Sequence, residues 1–246
     1  LLCALLPGLW ACESMRYPSG DSAEPTRAGT VSANPSPDSP SPANQAGAAW
    51  AVRARAGRDE LRAGNLQDAE DHFLAALAAT RELLPEDARA QAALRNLLHL
   101  GEAYQRRGLY EDSARVASLL FAESSLGRGL DFVSIAPLLL RQGLHSEQAE
   151  RRAEAEALYV SGLALAGAKP TAGDDYFTMR MRLGRLLVSD ARFEEASRVL
   201  QDLLAELADR RIGTRVGARA ALVAAEAGRG DLESAELHYG IAREDA

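Results

Sequence analysis

The sequence predicts an all-α array of about five helical hairpins over residues 49–246. Three observations carry that prediction. Apolar residues make up 47% of the chain and aromatics only 5%, with Ala abundant and Val, Ile and Thr sparse. Alanine loses no side-chain entropy in a helix, whereas sheets favour β-branched residues. From Trp50 onward, apolar residues recur three and four apart, the spacing of one helical face. Finally, one order of small and large residues returns five times along the body, the signature of stacked repeats.

The first segment stands outside this pattern. LLCALLPGLWAC is apolar and uncharged but only 12 residues long, too short to cross a bilayer. Residues 1–11 are expected to be part of a secretory signal. Leu9-Trp10-Ala11-Cys12 resembles a bacterial lipobox, which implies lipid attachment at Cys12 and a lipoprotein of the cell envelope. Trp10 departs from the usual small or β-branched residue there. Residues 12–48 are rich in Pro, Ser, Gly, Asp and Ala and cannot bury enough apolar surface to offset ordering entropy. They are expected to form a disordered tether. The alternative reading is a soluble cytoplasmic regulatory module with a mis-called N-terminus.

The body begins at 49. Its five units align through AGNLQDAEDHFLAAL (63–77), RGLYEDSARVASLLF (107–121), AERRAEAEALYVSGL (149–163), DARFEEASRVLQDLL (190–204) and RGDLESAELHYGIAR (229–243). A small residue recurs at Ala69, Ser113, Ala155, Ala196 and Ala235, at spacings of 44, 42, 41 and 39. Four residues later stand Phe73, Ala117, Tyr159, Leu200 and Tyr239. Twelve residues before each small residue come Gly57, Gly101, Gly143 and Gly184, then Val223. A helical glycine costs about 1 kcal/mol relative to Ala, so its recurrence calls for close approach of a second helix. The second helices open on acids (Asp68, Glu111, Asp112, Glu154, Glu194, Glu195, Glu233), which complement the helix dipole.

In this order of residues the chain resembles the tetratricopeptide repeat (TPR) family. The second unit carries the resemblance through Leu97, Leu100-Gly101, Tyr104, Gly108, Tyr110 and Ser113, and the fourth through Leu183-Gly184, Leu187, Phe193, Ala196 and Leu200. The first matches through Gly57, Gly64, Leu66, Ala69 and Phe73. The resemblance implies a right-handed α-solenoid whose first helices line a partner-binding groove. Carried over by position, the groove comprises Arg58, Leu61 and Arg62, then Leu98, Glu102, Gln105 and Arg106, then Leu140 and Leu144, then Met181, Arg185 and Val188. Such a surface suits an extended peptide or a partner helix, and its arginines favour an acidic one. Chaperone-binding members carry a Lys/Asn clamp. The matching slots here hold Ala54 and Arg58, Leu98 and Glu102, and Leu140 and Leu144, so the clamp is absent.

Other functions are disfavoured. The net charge of −7 provides no bulk basic surface for a phosphate backbone, so no nucleic-acid partner is expected. Cys3 and Cys12 are the only cysteines, leaving the body without a disulfide or thiolate–zinc framework. His72, His99, His145 and His238 form no metal-ligand spacing. No nucleophile elbow or phosphate-cradling loop is present. The paired carboxylates Glu111-Asp112 and Glu194-Glu195 diverge on a helix. The expectation is a non-catalytic protein-binding scaffold without cofactor or metal.

Overall fold

A computed structural model describes residues 42–81, 87–127, 129–167, 173–207 and 212–245. They lie in one compact unit, Pro40–Ala246. Residues 1–41, including Cys12, lie outside the described residues. The described residues form ten helices in five hairpins: α1 (Pro42–Ala63) with α2 (Leu66–Ala79), α3 (Ala88–Arg106) with α4 (Tyr110–Ser125), α5 (Phe132–Gln148) with α6 (Arg152–Ala166), α7 (Gly173–Ser189) with α8 (Phe193–Glu206), and α9 (Ile212–Arg229) with α10 (Leu232–Asp245). No strand occurs among the described residues. Helix α1 starts within the stretch expected to be tether.

Each helix packs on the next in the chain, and each odd-numbered helix also packs on the following odd-numbered one. That contact order is the expected α-solenoid of helical hairpins: the odd-numbered helices form one layer, the even-numbered helices the other. A continuous core from Leu66 to Ala225 runs between them. The recurring small residue is buried in every hairpin.

The glycine slot works by volume. A Cβ on Gly57 would lie 2.5 Å from Phe73 Cε1, one on Gly143 2.4 Å from Tyr159 Cε1, and one on Gly184 2.5 Å from Leu200 Cδ2. In each case the intruder is the large residue of the same hairpin, itself fully buried. The second unit differs because its large residue is Ala117. There Leu138 of the next hairpin fills the space, 3.1 Å from a Cβ on Gly101. The fifth unit inverts the pattern. Val223 occupies the glycine slot, and Tyr239, expected to pack, is 58% exposed.

Every hairpin closes on the same turn. Seven residues after the glycine slot the backbone enters the left-handed region, at Gly64, Gly108, Glu150, Ala191 and Gly230. The next N–H then bonds back to a carbonyl five residues earlier: Asn65 to Glu60, Leu109 to Tyr104, Arg151 to Ser146, Arg192 to Leu187 and Asp231 to Glu226. This is a Schellman closure, which glycine enters without a Cβ penalty. Two hairpins use a glutamate and an alanine instead.

Arginines at these turns clasp the preceding hairpin. Arg107 Nη1 donates to the Gly64 carbonyl at 2.8 Å. Arg151 reaches Glu111 at 3.0 Å, Arg192 reaches Glu156 at 2.6 Å, and Arg229 reaches Glu194 at 2.9 Å. Glu111 and Glu194 therefore pair with the following hairpin besides opening their own helices. Two buried carboxylates add further bridges. Glu70 of α2 accepts from the Tyr104 hydroxyl of α3 at 2.7 Å and from Arg115 of α4 at 2.8 Å. Glu226 of α9 accepts from Ser197 of α8 at 2.6 Å and from Arg229 at 2.9 Å.

Candidate partner face

The two helix layers carry opposite charge. The odd-numbered helices hold 14 arginines against 7 carboxylates. The even-numbered helices hold 4 arginines against 16 carboxylates. A chain of net negative charge thus presents one cationic layer, which a mean charge conceals.

The structure divides the sequence-predicted face into three groups. Arg62, Arg106 and Arg185 are exposed, while Arg58, Glu102, Leu144 and Met181 are half-buried. Leu61, Leu140, Met181 and Val188 pack against the core with part of their surface open. Two residues are corrected. Leu98 is 8% exposed and belongs to the core, and Gln105 is 6% exposed. The Gln105 amide donates to the Leu138 carbonyl at 3.1 Å. Gln105 is covered where α3 and α5 meet directly in the odd layer, so an assignment by repeat position overestimates how open these slots are.

Several of the remaining arginines are engaged only weakly. Arg62 lies 2.7 Å from Asp59, and Arg106 lies 4.0 Å from Glu102. Both pairs are exposed one-turn contacts, worth little in water. Glu102 also meets His99 at 3.5 Å. Arg58 and Arg185 have no side-chain partner among the described residues. Beside Arg185, Arg182 Nη1 faces Glu147 at 3.6 Å. Arg182 and Arg152 were not among the expected face residues. Repeat position puts Arg182 off the groove, and Arg152 sits on an even-numbered helix, so only the fold brings them to Arg185.

Tyr110, expected as a packing residue, stacks its ring on His145 of the next hairpin at 3.6 Å between centroids and 7° between planes. Tyr104 is buried, and burial together with its bond to Glu70 pushes its hydroxyl far above the ordinary tyrosine range. Tyr159 is pushed up by the same causes, burial first and then Glu147. Both hydroxyls are neutral donors that hold helices together. Asp175 is raised by burial, with Asp174 adding repulsion. These perturbed groups do not converge on one cleft. Among the described residues, no group of three or more His, Cys, Asp or Glu could hold a metal, and no helix is long and apolar enough to cross a membrane.

The chain matches no family model and no curated protein. Among solved structures it is similar to a MamA protein, at 18% identity over 81% of this chain and 92% of that one, with a TM-score of 0.49. It is also similar to BtubC (BKLC) from P. vanneervenii, at 18% identity over 82% and 89% of the two chains, TM-score 0.49. A third similarity is to kinesin light chain TPR-like repeats of Podosopora anserina, at 15% identity over 83% and 95%, TM-score 0.46. None of these likenesses carries a function to this chain, whose reading rests on its own residues.

Proposed function

We propose that residues 49–246 form a non-catalytic protein-binding adaptor whose odd-helix layer takes an extended acidic segment of a partner. The observation that carries this reading is the separation of charge between the layers. Arginines interspersed with part-open Leu140, Leu144, Met181 and Val188 give a surface that binds acidic side chains and apolar ones together. The test is fluorescence anisotropy with a short labelled peptide rich in glutamate and leucine. The parent should bind it with a strong salt dependence. Arg58→Glu, Arg62→Glu and Arg106→Glu combined should weaken binding at least about tenfold, with an unchanged helical melt. Equal binding by parent and triple variant would remove this face from consideration.

The adaptor reading extends to the envelope. Leu9-Trp10-Ala11-Cys12 supports lipid attachment at Cys12, and the Pro- and Ser-rich stretch behind it supports a tether between membrane and array. On that reading the protein is a lipoprotein scaffold of a bacterial envelope assembly. Cys12→Ser should move the protein from the membrane to the soluble fraction on cell fractionation. An unchanged membrane fraction would sink the anchor and favour the soluble module.

A further inference from the structure

Where the third and fourth hairpins meet, the turn edge carries a small cleft lined by Glu147 of α5, Arg152 of α6, and Arg182, Arg185, Leu186 and Ser189 of α7. Its charges do not balance internally. Three guanidiniums face two carboxylates. Arg152 Nη1 is held by Asp190 at 3.0 Å. Arg182 Nη1 approaches Glu147 Oε2 only to 3.6 Å, beyond hydrogen-bond distance, while the other carboxylate oxygen accepts from the Tyr159 hydroxyl. The Arg182 Nε is buried and donates to nothing in the described structure. Arg185 is exposed and has no side-chain partner among the described residues.

A buried guanidinium N–H without an acceptor is costly, because the group has lost water and gained nothing. An oxyanion brought to the open parts of the Arg182 and Arg185 guanidiniums would balance the excess positive charge, and the guanidinium fork matches carboxylate or phosphoryl oxygens two at a time. Arg152 also lines the cleft, where it adds field without giving up Asp190. Leu186 supplies an apolar wall. Arg185 belongs also to the odd-helix face, so the cleft adjoins the path that a bound segment would take.

We propose that this cleft is an oxyanion subsite that anchors one acidic side chain of the partner segment through Arg182 and Arg185. The proposal rests on the adaptor reading for its ligand. The aspartate or glutamate carboxylate and a phosphorylated side chain share the required chemistry.

The test uses the full chain, the glutamate–leucine peptide, its glutamine counterpart and a phosphoserine-bearing version. Arg185→Gln should weaken the glutamate peptide about tenfold. It should leave glutamine-peptide binding and the thermal melt unchanged. Arg198→Gln, on the acidic layer, should change neither. In a heteronuclear NMR titration, the Arg182 and Arg185 Nε–H resonances should move with the glutamate peptide. Tighter binding of the phosphoserine version, lost in Arg185→Gln, would assign the subsite to phosphoryl groups.

Acetate and inorganic phosphate, titrated alone, test the subsite apart from the face. If they leave both Nε–H resonances in place and Arg185→Gln binds the peptide like the parent, the subsite is refuted. If the triple variant at Arg58, Arg62 and Arg106 binds normally while Arg185→Gln does not, the subsite stands and the extended face falls.

Discussion

Gly143 and Gly101 hold the same slot of the repeat but face different neighbours. A methyl on Gly143 runs into the buried ring of Tyr159 at 2.4 Å, whereas one on Gly101 meets Leu138 at 3.1 Å. Gly143→Ala should therefore lose about 1–3 kcal/mol to overpacking. Gly101→Ala should come out near neutral, since a helix-propensity gain of about 1 kcal/mol offsets mild crowding. Urea titrations of the two variants compare these directly, and equal losses would refute the volume argument. Ala191 offers the opposite sign. It occupies the left-handed turn that glycine fills in three hairpins. Relief of about 1–2 kcal/mol of backbone strain exceeds the unfolded-state entropy added by glycine, about 0.4–1 kcal/mol. Ala191→Gly should raise the denaturation midpoint, and a lowered midpoint would count against the strain.

Hairpins are the element at which the fold was legible in the sequence. The small residue and its large neighbour lie four positions apart on one helix face, so local spacing alone exposes them. The glycine slot lies within the same hairpin and could be read the same way. The turn arginines were not legible. Arg192 contacts Glu156, 36 residues earlier, and an arginine-rich chain offers many candidate partners for each carboxylate. Gln105 escapes a reading by repeat position for a related reason: its amide is held by the Leu138 carbonyl of α5, a helix of the next unit. The Arg192–Glu156 clasp is half-exposed at both ends. Arg192 is raised above its ordinary range first by Glu195 and then by Glu156. A double-mutant cycle of Arg192→Ala and Glu156→Ala should give a coupling of about 1 kcal/mol or less. A coupling well above that would make the clasp a principal joint of the array.

For the whole molecule, the two layers have unequal freedom. Odd-numbered helices touch one another along the array, while the sustained contacts join even-numbered helices only to odd-numbered ones. The odd layer is thus a row of pivots, and the even layer is a free edge away from the arginine clasps at the turns. That edge carries 16 carboxylates against 4 arginines. Like charges on neighbouring blades repel, and salt screens them beyond a Debye length of about 10 Å at 0.1 M. Lowering ionic strength should spread the free edge and tighten the bend of the odd layer. Small-angle scattering on the body across a salt series should show a continuous change in radius of gyration without loss of helicity, and an invariant radius would mean a rigid rod of hairpins. On this account charge does more than select a partner. It makes the array a spring whose resting curvature is set by the surrounding electrolyte, and an acidic segment bound on the pivot side would change that curvature.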